Sequence, residues 1–531
     1  MNTSRHTYHS DSIFLTDGNS TVYYRDLAVI AHRVRTHTES ADSPVIAIDT
    51  SDRFQAILWM ASCWMAHLPF VPFHPEDPAP LGAFQPDLIV SPHAVTANPA
   101  AIAFTELARP TSHDDRDLGR GSTLPGAPTL SGVSYKLYSE RVQAHGTQQI
   151  PRADTSGFPG VSELHSHPDR VFCGLLTSGS SGLPKRVPLL RRQMIAAAAN
   201  AGLSSASTDN VPAESLWGHP LPLYHAGGVA IVFRALLSGT GIFLWDGFDA
   251  GTILRALKTN RAIRRISLVP TMLKRLVDEA GRRESHPIHS LDCVLVGGGP
   301  YTTELEARAR RQGWPAAFSY GMTETCGQIS AQNPDGSSPA GSVGRALPGH
   351  EVQITDRRNQ LLPSGETGIL QVRGPQVFDG YLPEQQLLKA YRPGGEGPEP
   401  SRYPWFETGD YARLDSDDHL FIESRRTDMV VTGGLNVPVA DVEAALAGIP
   451  GVRDAAVTGL PDEEWGQILV ALVVADGEIS AEQLQQTLAG QLPPHQVPKR
   501  LFLTDHVPRS SLGKIRREKV RQEASRLHRR R

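Results

Sequence analysis

The amino-acid sequence predicts an α/β protein with a large N-terminal part of packed β-sheets and helices and a small α+β C-terminal unit. Three observations carry this. Short apolar runs alternate with longer helix-like stretches through roughly the first four hundred residues. The chain has 531 residues, too many for one hydrophobic core, so at least two domains are expected. The last hundred residues, roughly, change character, with short strands and amphipathic helices in close succession.

The strand-like runs Val45–Asp49, Leu88–Val90, Ile266–Val269 and Val294–Val296 are nearly continuous rather than alternating. That pattern suits strands buried on both faces, as in a parallel sheet covered by helices. An Ala-rich stretch, Met194–Ala201, reads as a helix. From Arg109 to Pro168 the pattern breaks: the segment is rich in Gly, Ser, Pro, His and Asp and has no sustained period. It reads as an irregular surface insertion, with a strand around Gly132–Leu137 as the alternative. In the C-terminal unit, Val439–Ala447 reads as a short helix, and Val452–Val457 and Ile468–Val474 as strands. Ser480 and Gln483 have the spacing of a capping box ahead of a helix over Ala481–Leu492. Lys514–Arg531 holds nine Lys or Arg against two Glu. It is expected to be a solvated helix or a frayed tail, with a phosphate-rich partner as the sharper alternative. No repeat at a solenoid period is present.

Composition excludes several function classes. With 40% hydrophobic and 20% charged residues and a net charge of -4, the chain has no global field to attract nucleic acid. Any anionic ligand must be held by local groups. Met1–Ser12 is polar and lacks a signal core, and the apolar stretch Ala56–Val71 falls short of a membrane span, so a cytoplasmic location is expected. Cys63, Cys173, Cys293 and Cys326 form no CxxC pair and are expected to be reduced core thiols. Composition leaves an isologous homodimer open.

The segment Leu175–Lys185 carries the first chemical signal. An apolar run enters a loop of Thr177, Ser178, Gly179, Ser180, Ser181 and Gly182, closed by Lys185. Glycines let a backbone approach an anion, its N–H groups can cradle phosphate oxygens, and the hydroxyls and the lysine add donors. It is not a Walker loop: no Lys-Ser or Lys-Thr pair occurs, and Pro184 precedes the lysine. Taken alone, a Gly/Ser-rich stretch is as often a flexible turn.

This loop resembles the phosphate loop of the superfamily that unites acyl-CoA synthetases, firefly luciferase and nonribosomal peptide adenylation domains. Further segments resemble that superfamily in its own order: Pro222–Gly228, Gly297–Pro300, Tyr320–Thr325, Thr408–Asp410, Arg425, Gly433–Gly434 and Lys514. The resemblance runs from about Ser12 to Val520, the insertion excepted. It implies a large adenylate-forming domain over residues 1–426 and a small mobile C-terminal domain over 427–531. The implied substrates are ATP with Mg²⁺, a small-molecule carboxylic acid, and coenzyme A as the thiol acceptor.

The resemblance also implies roles. Thr177 to Gly182 and Lys185 would hold phosphates. Gly298, Gly299, Pro300, Gly321 and Met322 would flank the adenine, and Tyr320 would stack on it. Thr323 would touch the α-phosphate, and Glu324 would hold Mg²⁺. Asp410 would clamp the ribose, with Arg425 near ribose and phosphate. Lys514 would bridge the acid and the α-phosphate, and Gly433 and Gly434 would line the thiol tunnel. His225 would line the acyl pocket. Each has a plainer reading: Tyr320 as core packing, Asp410 as a turn residue, His225 as a histidine satisfied by backbone, Lys514 as one more lysine of a basic tail. The chain departs from the superfamily pattern at Arg186, where Gly is usual, at Thr427 in the hinge, and at Pro508–Ser511 before the lysine.

Within the superfamily, Leu221–His225, Ile266–Leu273, Tyr320–Gln328 and Arg425–Gly434 are most similar to the o-succinylbenzoate–CoA ligase group of menaquinone biosynthesis. Another aryl- or fatty acyl-CoA ligase, a stand-alone enzyme loading a carrier protein, and a non-catalytic binding protein stay open at this stage.

Overall fold

The computed structural model describes residues 12–24, 26–27, 31, 34, 44–76, 79–84, 86, 88–91, 101–103, 167–178, 184–200, 215–282, 290–383, 386, 388, 403–425, 429–432, 435–462, 464–477, 479–509 and 515–529. Nearly all of the expected insertion, with the strand expected around Gly132, lies outside them.

Two large sheets organise the N-terminal part. The first has nine strands, in the order Arg345–Ala346, Gly327–Ala331, Ala316–Met322, Cys293–Val296, Ile263–Leu268, Leu216–His219, Gly241–Leu244, Ile13–Thr16, Thr21–Tyr23. Its six inner strands are parallel, and antiparallel strands close both margins. The second has six strands, in the order Ala101–Ala103, Leu88–Ser91, Ile46–Asp49, Phe70–Phe73, Val171–Ser178, Pro184–Leu190. It is parallel up to the final antiparallel hairpin. The predicted strands around residues 45–49, 88–90, 266–269 and 294–296 are all present, and Cys293–Val296 is buried along its whole length.

Helices Arg53–Met65 and Ala226–Ser238 are apolar nearly all round, which marks helices enclosed on every side. They pack against each other and share one core with residues of both sheets. Trp64 and Phe233 meet there at 4.9 Å, with Phe172 edge-on to both. This is the structural fate of the apolar stretch 56–71: a buried helix followed by a buried strand. Among the described residues no helix is long and apolar enough to cross a membrane. All four cysteines are buried free thiols.

A four-stranded antiparallel sheet follows, in the order Glu351–Thr355, Gly368–Arg373, Phe406–Leu414, Leu420–Arg425. The remaining residues build a small α+β unit. Strands Val452–Asp462, Gly466–Ala475 and Arg500–Leu503 form its sheet. Both faces are covered. Val457, Leu469, Ala471 and Val473 pack with helices Val439–Ala447 and Ala481–Ala489. Ala456, Val470, Leu472 and Val474 pack with Val520 and Ala524 of helix Arg517–His528. The hairpin runs five residues further than the expected first strand, because pairing continues to Asp462↔Gly466. The capping box forms, with Ser480 Oγ accepting from Gln483 N at 3.2 Å and Gln483 Oε1 accepting from Ser480 N at 2.8 Å. That helix stops at Ala489, where Gly490 takes over as cap, short of the expected Leu492. Within the basic tail, Arg517–His528 is a helix that buries Val520 and Ala524.

Candidate functional site

Three of the singled-out segments leave the carboxyl ends of strands in the parallel part of the nine-stranded sheet. His219 leads into 220–228, Val296 into Gly297–Pro300, and Met322 into Thr323–Thr325. In open α/β sheets that edge is where ligands bind, because loops diverge there and leave a crevice.

The described ends of the segment Leu175–Lys185 belong to the last hairpin of the six-stranded sheet. Thr177 pairs with Lys185 and Ser178 with Pro184, so the strand ends bring a hydroxyl and an ammonium to the mouth of the loop. Gly179, Ser180, Ser181 and Gly182 lie outside the described residues. Strand Pro184–Leu190 packs on the turn Thr323–Thr325, which joins this hairpin to the Tyr320–Thr325 segment.

Arg186, the departure from the superfamily pattern, has a structural task. It is buried, and its Nη1 and Nη2 donate to Pro383 O at 2.7 Å and Gln386 O at 2.8 Å. Leu382 N donates back to Arg186 O at 2.8 Å. Gln193 Nε2 donates to Val377 O at 2.9 Å, and Arg192 pairs with Asp379. Residues 377–383 and Gln386 are thus stapled to the hairpin and the helix after it. The staple sets Tyr381 between two singled-out residues. Lys185 Nζ lies 4.6 Å from the Tyr381 ring centroid, and Tyr381 O–H donates to Glu324 Oε1 at 2.9 Å. Burial and the Glu324 charge push the Tyr381 phenol above its ordinary value, so it remains a donor. A lone tyrosine after glycine has no periodic or spacing signal, and sequence reasoning passed over it.

Glu324 is buried in a single 3₁₀ turn, and its carbonyl accepts from Phe378 N at 2.7 Å. Thr325 Oγ1 braces the turn by accepting from Met322 N at 2.9 Å and donating to Gly327 O at 2.7 Å. The carboxylate accepts the Tyr381 hydrogen bond, and among the described residues no cluster of three acidic, His or Cys ligands occurs. Mg²⁺ fits these residues on its own terms. It takes oxygen ligands, keeps waters, and is commonly held by one or two carboxylates plus substrate phosphates. The half-buried Thr323 precedes Glu324 with no side-chain hydrogen bond among the described residues.

Tyr320 and Asp410 meet directly. The buried Tyr320 hydroxyl donates to Asp410 Oδ2 at 2.5 Å, which ties the nine-stranded sheet to the four-stranded one. Asp410 lies opposite Arg425 in register, so strand pairing brings the two positions together. The turn Gly297–Pro300 follows the neighbouring strand, with Gly298 at φ +82° and residues 298–300 exposed. A side chain at Gly297 would sit 2.7 Å from Ser319 Oγ. Beside this turn Tyr301 stacks on Phe318 at 3.9 Å, a second aromatic that sequence reasoning missed.

On the opposite flank, His225 is the N-cap position of helix Ala226–Ser238. It is half-buried and 4.6 Å from the Tyr224 ring, which in turn lies 5.6 Å from His74. Further along the same helix, Arg234 is fully buried. Its Nη2 donates to Gln328 Oε1, its Nε has no partner among the described residues, and a Cβ on Gly327 would approach Nη2 to 2.9 Å. Burial lowers this guanidinium to about 10, which leaves it charged at neutral pH. No carboxylate neutralises it among the described residues. A buried arginine inside an apolar helix reads in sequence as an interruption, so its meaning becomes visible only from its surroundings.

Gly433, Gly434 and Lys514 lie outside the described residues, and of Arg425 only the backbone is described. Arg509 and Ile515, which flank the stretch of sequence containing Lys514, form an isolated antiparallel bridge.

Comparison with known proteins fits this arrangement. Residues 5–382 match the family model for the AMP-binding enzyme, and residues 441–514 match the model for the AMP-binding enzyme C-terminal domain. The 2-succinylbenzoate–CoA ligase of Bacillus licheniformis is 34% identical over 373 residues, covering 70% of this chain and 74% of the relative. That of Enterococcus faecalis is 34% identical over 405 residues, 76% and 78% of the two chains. Among solved structures, o-succinylbenzoate CoA synthetase from Bacillus subtilis in complex with its acyl-adenylate intermediate superposes with a TM-score of 0.73. The match covers 97% of this chain and 95% of that one at 24% identity. ATP-bound MatB from Rhodopseudomonas palustris gives 0.72 at 21% identity, covering 98% and 97%. At these identities the two structures speak for the fold.

Proposed function

The chain belongs to the AMP-binding enzyme family, and on that premise we propose that it is an AMP-forming carboxylate–CoA ligase whose acid is o-succinylbenzoate. The observation that carries the reading is the match, over about two thirds or more of both chains, to ligases of that name. The buried Arg234 supports the choice of acid. O-succinylbenzoate has two carboxylates: one is activated, and the other needs a partner. A buried guanidinium without a carboxylate is a costly arrangement that an anionic substrate group would relieve.

In the first half-reaction the acid's carboxylate oxygen bonds to the α-phosphorus of ATP and the bond to pyrophosphate breaks. Tyr320 stacks on adenine beside Gly298, Gly299 and Pro300, Asp410 holds the ribose with Arg425 nearby, and Thr177 to Lys185 hold the departing phosphates. Glu324 is the residue that would hold Mg²⁺, which supplies charge neutralisation of the triphosphate. Lys514 stabilises the charge that develops between acid and phosphate, and His225 bounds the acyl group. In the second half-reaction the thiol sulfur of coenzyme A bonds to the acyl carbon, and AMP leaves. Residues 1–426 would form the adenylation domain and 427–531 the mobile one, turning at Arg426 and Thr427 and bringing Gly433 and Gly434 to the thiol.

The test is pyrophosphate release from Mg·ATP across a panel of o-succinylbenzoate, benzoates and medium-chain fatty acids, each with and without coenzyme A. O-succinylbenzoate should give release and a CoA thioester, and Arg234→Gln should cost that acid about a hundredfold in kcat/KM. Turnover of another acid alone would discard the substrate, and adenylation without thioester would move the acceptor to a carrier protein.

A further inference from the structure

Arg53 is the first residue of a helix capped by Asp52. A cation at that end opposes the helix dipole, and a guanidinium out of solvent is costly. Its hydrogen bonds indicate what the cost is for. Nη1 donates to Trp245 O; Nη2 donates to Leu221 O at 2.7 Å and His219 O at 3.1 Å, and meets His219 Nδ1 at 3.2 Å. His219 is fully buried, and its Nε2 lies 3.0 Å from Gly228 O. A guanidinium only donates, so Nδ1 accepts and Nε2 carries the proton that Gly228 O receives. The ring is therefore a neutral relay with one allowed orientation.

The relay pins both ends of one loop. Arg53 holds 219 and 221, and His219 holds 228. Within the loop the backbone closes on itself, since a Cβ on Gly228 would stand 2.1 Å from Pro222 O. Tyr224 and His225 lie between the pinned ends, with their rings 4.6 Å apart. The anchor itself belongs to the helix after strand Ile46–Asp49 of the other large sheet.

We propose that Arg53 and His219 are positioning residues that fix the Leu221–Gly228 loop, and through it His225, against the acid. This rests on the reading that His225 bounds the acyl group. Neither residue touches substrate. The pair spans the two sheets, so it sets the position of one wall of the acid site relative to the lobe that carries Arg53. Nothing in it contacts the Tyr320, Asp410 or Glu324 groups.

The variants R53K, H219Q and H219N are assayed alone and on an H225A background, with kcat and KM for acid and for ATP measured separately and melting followed in parallel. H219Q keeps a donor for Gly228 O, and H219N keeps a group for Arg53, so the two links are cut one at a time. The single variants should lose about tenfold or more in kcat/KM for the acid. Their KM for ATP should stay within about twofold, and most of the loss should vanish on the H225A background. Equal losses for acid and ATP, or a loss that persists undiminished beside H225A, would overturn the proposal and leave a structural role. An H225A enzyme with unchanged acid kinetics would overturn the reading of His225 and the proposal with it. If R53K fails to fold, H219Q and H219N decide the outcome by the same criteria.

Discussion

Single residues here carry charges and tautomers that only their surroundings define. His219 is the clearest. Burial first, and the Arg53 charge second, push it down to about 3, although its two hydrogen-bonding partners on the backbone pull the other way. In the unfolded chain it titrates near about 6.5. Its folded value is the lower one, so the unfolded state takes up the proton first as pH falls. Stability is full above pH of about 6.5 and is lost below it, by up to about 1.4 kcal/mol per pH unit. Denaturant unfolding of wild type and H219Q between pH 7.5 and 5 should show wild type losing stability the more steeply; parallel curves would mean that His219 takes up its proton alike in the folded and unfolded chain. Cys326 shows the opposite lesson. It lies beside the Glu324 turn, yet burial pushes its thiol up to about 12, so it is a packing residue and no nucleophile.

Elements position the site through close approaches that a pattern of apolar and polar residues cannot encode. Strand Ala316–Met322 delivers Tyr320 and leads into the Glu324 turn. It then meets strand Gly327–Ala331 so closely that a Cβ on Gly321 would stand 2.0 Å from Gly327 O. Gly321→Ala must push that strand away and carry Glu324 with it. We expect a fall in kcat of about a hundredfold, because small misplacements cost that much, with a stability loss of about 1–3 kcal/mol. Steady-state rates and melting together check this, and unchanged rates would show that the approach does not hold the turn. The staple from Arg186 to Pro383 and Gln386 acts similarly for Tyr381. Its sequence signal was only a departure from a resemblance, legible as a difference and not as a purpose.

At the scale of the molecule, the contacts among Tyr320, Asp410, Glu324, Tyr381 and Lys185 lie where the nine-stranded sheet, the hairpin of the second sheet and the four-stranded sheet meet. Lys514 belongs to a different body of sequence, with two cores of its own around the three-stranded sheet. If the C-terminal unit serves the two half-reactions in two orientations, Lys514→Ala separates them. Adenylation should fall by about two to three orders of magnitude, the melting temperature should not move, and thioester formation from pre-formed acyl-adenylate should persist. Loss of both half-reactions together would place Lys514 in both states.

The sequence by itself determined the α/β class, the buried strands, the capping box of the C-terminal unit and the order of the segments that resemble the superfamily. All of these are local: an apolar run, a cap spacing or a Gly/Ser loop is written in contiguous residues. The tertiary structure alone decided that Tyr320 bonds Asp410, that Tyr381 stands between Lys185 and Glu324, that the buried Arg234 bonds Gln328, and that Arg53 reaches His219. Each of these pairs residues far apart in the chain. Their meaning comes from burial, which makes an unpaired charge costly and a hydrogen bond directional, and burial is a property of the fold rather than of any window of sequence.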